Sequence, residues 1–158
     1  MKSNILRFPA VSVLTLSLLV VAMPVSGAGT TQIGGVGVFA AECNSESSLY
    51  TIVMSGSLVG CWYTDSLVST ITPSGVYQEW GNEHFVGCVN TQCGTFHTSY
   101  KFTAKLDTTT FAEIRGRCEH KIVDGGGSGD FAGATGRVDI KDDVANAVFN
   151  YRGHITFN

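Results

Sequence analysis

Residues 125–136 read GGGSGDFAGATG: six glycines in twelve positions, gathered around one aromatic residue, Phe131. A phosphate-cradling loop would need G-K-[ST] or G-x-G-x-x-G spacing and a helical period after it, and neither is present. A calcium-binding G-G-x-G-x-D repeat would need several aligned copies, and there is one misaligned copy. The glycines instead suit positive φ angles and close strand approach around Phe131. Strands feed this turn and leave it, which predicts a small closed barrel whose function depends on what its interior holds.

Outward from the turn, the pattern from Leu49 onward alternates with period two, and no window sustains a 3.6-residue apolar period. The spacing predicts strands at 49–54, 58–72, 76–80, 84–88, 95–105, 112–123, 136–141 and 147–157. Turns fall at Ser55-Gly56, Pro73-Ser74-Gly75, Gly81-Asn82, the loop from Cys88 to Cys93, residues 107–110 and Asp142-Asp143. The expected fold is all-β: a single antiparallel eight-stranded β-barrel, stapled by disulfides, over residues 49–158. Residues 29–48 carry no period and are expected to be a poorly ordered leader.

Residue parity sorts the faces. Phe96, Thr98, Tyr100, Phe102 and Ala104 share one face and are expected inside, with His97, Ser99, Lys101 and Thr103 outside. In the next strand Ala112, Ile114, Gly116, Cys118, His120 and Ile122 are expected inside, and Glu113, Arg115, Arg117, Glu119 and Lys121 form a charged outer row. Phe149, Tyr151, Gly153, Ile155 and Phe157 point in on the last strand. Glu79, Glu83 and His84 flank the expected turn at Gly81-Asn82 and read as a solvated rim rather than as paired catalytic carboxylates. Asp65 is a candidate for a barrel mouth, although a bulge in its long strand would reverse its face.

The N-terminus carries Lys2 and Arg7, an apolar stretch from Val11 to Val21, and small residues ending Ser26-Gly27-Ala28. That is the layout of a secretory signal peptide over residues 1–28, cut after Ala28, with Val38-Phe39-Ala40 as a second acceptable cut. The apolar core is shorter than the ~20 residues a membrane span needs. Without residues 1–28 the net charge is about −5, with no cluster of Lys and Arg. Neither nucleic acid nor an integral membrane association after signal cleavage is expected. Localisation is expected to be secreted, or periplasmic in a cell with two membranes.

All five cysteines follow residue 28, so disulfides are the default. Cys88 and Cys93 suit a hairpin staple. Cys61 and Cys118 are expected to pair across the sheet, leaving Cys43 as the odd thiol. Zinc on these cysteines is the competing reading, but no C-x-x-C occurs, and no metal or cofactor is expected.

The glycine-rich turn, with Cys93-Gly94-Thr95-Phe96 and the opening Gly56-Ser57-Leu58-Val59-Gly60, resembles the allene oxide cyclase-like barrels, a calycin-like superfamily that includes plant dirigent proteins. The likeness covers nearly all of residues 49–157. It implies a barrel that binds hydrophobic molecules, some members steering cyclisation or coupling of a bound intermediate. The polar residues of those enzymes match no motif here, so none is carried over.

From the residues themselves, Tyr100, Tyr151, Phe96, Phe102 and Phe149 are the expected contacts for a small hydrophobic ligand. His120 is the inward imidazole suited to acid or base work. The leading expectation is therefore an exported barrel binding an apolar or aromatic molecule in its lumen. An isomerase or cyclase is the second, and a secreted structural or interaction protein with a filled barrel is the third.

Overall fold

The computed structural model describes residues 29–40, Cys43, Ser48 and residues 50–157. The proposed signal segment and parts of the expected leader lie outside the described residues. The strands are β1 (Thr30–Phe39), β2 (Thr51–Gly56), β3 (Leu58–Ile71), β4 (Val76–Val89), β5 (Gln92–Leu106), β6 (Glu113–Ile122), the two-residue β7 (Ser128–Gly129), β8 (Thr135–Asp143) and β9 (Val148–Thr156). Each long strand pairs antiparallel with its neighbour in chain order, β4 pairs with β5, and β1 closes the circle on β9. The protein is thus all-β, and its described residues form a closed up-and-down barrel of eight long strands with no long unpaired edge among them.

Eight long strands form the barrel among the described residues, but they are not the expected eight. Residues 30–39, expected in the leader, form β1, which pairs with β2 from Gly35 to Phe39 and with β9 from Thr30 to Gly37. The glycines of TTQIGGVGVF hide its period, yet they admit the bulk of its neighbours: a Cβ on Gly35 would strike the Tyr151 ring and the Ser55 carbonyl. Conversely, the expected turn at Gly81-Asn82 lies within β4, which runs unbroken from Val76 to Val89. Gly81 is there because β3 bulges opposite it, and a Cβ at that position would run into the Ser66 carbonyl and the Tyr100 ring.

The glycine-rich turn seals one end of the barrel. Ser128 and Gly129 pair with Thr95 and Gly94, and Gly125, Gly129 and Gly133 all take positive φ, a region glycine enters without steric cost. Phe131 is wholly buried, packed on Phe85, Phe96 and Phe157. Leu58, Val89, Ile122, Val138 and Ile155 complete this filled half. The interior above it is a different environment.

Two disulfides are present, Cys43–Cys61 and Cys88–Cys93. The hairpin staple is as expected, Cys88 and Cys93 being direct cross-strand neighbours of β4 and β5. The pairing of Cys61 with Cys118 is not found. Cys118 lies on the inner face of β6, buried and free, whereas Cys61 precedes the inward Trp62 and so faces out. A bridge between them would have to cross the sheet wall, beyond disulfide reach. Cys43 takes the partner instead.

Candidate functional site

The half of the barrel away from Phe131 encloses a cavity of about 400 Å³. Its walls are aromatic and apolar, with Phe39, Ile52, Phe102, Leu106, Phe111 and Phe149 among them. Besides His120 and several hydroxyls, it is faced by four acidic side chains: Glu79 and Glu83 from β4, Glu113 from β6 and Asp142 from β8. Four carboxyl groups facing one small space is the feature sequence reading did not anticipate.

Glu79 and Glu83 point inward because β4 does not turn at Gly81, so residues 79, 81, 83 and 85 share one face. Both are buried, which corrects the expected solvated rim. Burial of a carboxylate is costly without donors, and each has them. Glu79 accepts from Tyr100 Oη at 2.6 Å and from Tyr77 Oη at 2.5 Å. Glu83 accepts from Trp62 Nε1 at 2.7 Å and from Thr64 Oγ1 at 2.8 Å. Burial and the bond to Glu79 raise both tyrosine pKa values, so the phenols remain donors.

His120 lies inside, as expected, and is almost wholly buried. Its Nε2 is 2.7 Å from Glu83 Oε2 and its Nδ1 is 3.2 Å from the Val138 carbonyl oxygen. Both ring nitrogens thus meet acceptors, an arrangement an imidazolium paired with the Glu83 carboxylate satisfies completely. Trp62 packs edge-on against the ring at 4.9 Å and Tyr100 stacks at 5.7 Å, which fixes its plane. Cys118 Sγ sits 3.4 Å from Nε2. Burial first, then the charges of Glu83, Asp142 and Glu79, push its pKa up, so it is held as a thiol and not as a nucleophilic thiolate.

Nearer the mouth, Glu113 and Asp142 meet over Gly116, where a Cβ would collide with both carboxyl groups. Glu113 was expected on the outer row and Ile114 inside. A register shift between Lys105 and Leu106 opposite reverses them, so that Glu113 faces the cavity and Ile114 is exposed. The Asp142 carboxyl is pushed up to about 7 by burial, by its hydrogen bond with Glu113 and by the Glu113 charge. Glu113 Oε1 is buried with no donor in reach other than a protonated Asp142.

Of the expected ligand contacts, Tyr100, Phe102 and Phe149 line the cavity together with His120. Phe96 and Tyr151 do not. Phe96 lies in the filled half against Trp62, Phe85 and Phe131. The Tyr151 hydroxyl accepts from Leu58 N at 2.7 Å and donates to the Ser55 carbonyl at 3.0 Å, which makes it a seam between β9 and the β2–β3 turn. Asp65 lies on the outer wall, hydrogen-bonded to His84, and not at the mouth. No protein-family model matches the chain, and no curated protein matches it.

Proposed function

We propose that this is an exported barrel of the allene oxide cyclase-like kind that takes one small, mainly apolar or aromatic molecule into its lumen, oriented by a polar or cationic end. The observation that carries the reading is the division of the interior. One half is packed solid with aromatic side chains, and the other is a cavity with aromatic walls and a floor of buried, hydrogen-bonded carboxylates. Apolar walls supply affinity, and a few fixed polar groups supply orientation. A protonated amine or a hydroxyl at the ligand's end complements Glu79, Glu83, Glu113 and Asp142, whereas a carboxylate there would meet like charge.

Native mass spectrometry of the protein from its own secreting cells, against the same sample denatured but unreduced, tests this. The expected result is extra mass that vanishes on denaturation. A protein that emerges bare, and that then binds neither an arylalkylamine nor the matching alcohol in calorimetry, overturns the reading. Preference for an arylalkyl carboxylate over the amine would overturn the orientation.

One observation favours an isomerase or cyclase as a second reading: Glu83 and His120 form a buried acid–base pair at the cavity wall, 2.7 Å apart. In that case the bound molecule, incubated with the protein in deuterated water, exchanges a carbon-bound proton. His120→Gln abolishes the exchange while leaving binding within a few fold. A ligand recovered without deuterium leaves the binding module alone.

A further inference from the structure

The outer wall carries a cluster that the lumen does not use. His84 and His97 are direct cross-strand neighbours on β4 and β5, both turned outward because the residues on either side of each point in. Asp65 is the extra residue of the β3 bulge between Thr64 and Ser66, and the bulge brings its carboxylate to the same face. The His84 Nδ1 to Asp65 Oδ1 distance is 2.7 Å. One ligand atom from each of the three residues lies within 4.8 Å of the others.

We propose that Asp65, His84 and His97 bind one divalent first-row transition-metal ion of the zinc class on the outside of the barrel, with water completing its coordination. Two imidazoles and one carboxylate are donors suited to such ions. Around zinc, donors about 2.0–2.1 Å from the metal stand about 3.3 Å apart. His84 and Asp65 therefore separate slightly, and His97 swings inward by up to about 1.5 Å, a small rotation for an exposed side chain. The hydrogen-bonding proton between His84 and Asp65 leaves as the ion enters, since ligands bind deprotonated. The site is also braced. Tyr63, buried beside it, stacks on His84 at 4.9 Å with planes 20° apart, which fixes the imidazole plane as an outer-shell partner does. The His97 ring packs against His84 at 5.6 Å. The ion would clip β3, β4 and β5 together outside the wall whose inner face carries Glu83.

The test uses the untagged protein, stripped with chelator and titrated with zinc chloride in a calorimeter and with cobalt(II) in an absorbance cell. The expected result is one ion bound at micromolar dissociation constant or tighter, with a raised melting temperature. His97→Ala and Asp65→Ala, at solvent-exposed positions, weaken zinc at least tenfold and abolish the rise in melting temperature. His154→Ala, on the far strand β9, leaves both unchanged. Absence of zinc binding in the parent protein overturns the proposal, as does binding that His97→Ala leaves intact.

Discussion

At the scale of single residues, the interior is governed by how its buried carboxylates are satisfied. Glu83 accepts from Trp62, Thr64 and His120 at once, so its removal leaves a buried imidazole and an indole N–H without their acceptor. Glu83→Ala is expected to cost about 3–5 kcal/mol in chemical denaturation, the scale for breaking a buried charged pair. Glu119→Ala, which removes an exposed carboxylate shared by Arg117 and Arg137, is expected to cost under about 1 kcal/mol. Similar losses in the two variants would mean that the Glu83 cluster contributes no more than a surface pair. Asp142 gives a pH signature instead. Its folded carboxyl titrates near 7, but an unfolded aspartate titrates near 4. Between those values the folded state holds a proton that the unfolded chain has released. Stability therefore falls as pH rises from about 4 to about 7, then levels off. The site is partly open, so screening reduces the expected effect to about 1–2 kcal/mol. Asp142→Asn, whose amide gives Glu113 a permanent donor, should flatten that slope in denaturation curves taken from pH 4 to pH 8; an unchanged slope would assign it to other groups.

At the scale of elements, glycine is where sequence reading succeeds and fails. The stretch around Phe131 was legible because its glycines cluster and no ligand motif fits them. Gly81 was not: in Trp80-Gly81-Asn82 it carries the signature of a turn, whereas it serves close approach to the bulge on β3. Treating it as a turn cut β4 in two and placed Glu79 and Glu83 on a rim, which is why the acidic floor of the cavity was missed. The inward alternation Glu79, Gly81, Glu83, Phe85 was the available signal. Parity held on β5 and β9 because those strands are regular. It failed at Glu113 and Ile114 because a register shift leaves no mark in composition. The same geometry predicts that Gly81→Ala destabilises by about 1–3 kcal/mol or more, an overpacking cost, because its Cβ would meet a backbone carbonyl that cannot swing away. Gly125→Ala tests a different cost, since no atom beyond its own chain neighbours lies within 4 Å of its Cβ position but its φ is +73°. Urea midpoints for the two should place Gly81→Ala as the more damaged; the reverse order would mean that β3 yields to the methyl group.

At the scale of the whole molecule, closure depends on the segment that reads least like structure. Among the described residues, β1 is the only long strand joining β2 to β9, and without it both would present open edges, a template for aggregation. The sequence offers two signal cleavage positions, after Ala28 and after Ala40. Cutting after Ala40 would remove all of β1, from Thr30 to Phe39, together with Phe39 from the cavity wall. Cutting after Ala28 leaves Gly29, whose carbonyl accepts from Phe157 N at 3.2 Å and ties the start of the barrel to its last strand. Of two cuts that local sequence rules both accept, only the one after Ala28 is compatible with the closed barrel. If the N-terminal segment is removed as a signal peptide, the remaining chain is expected to begin at Gly29, read as an intact mass of residues 29–158 lowered by four hydrogens for the two disulfides. A chain beginning at residue 41 and still monomeric, with a cooperative melt, would show that seven long strands suffice. It would also remove the aromatic wall at Phe39 from the ligand site.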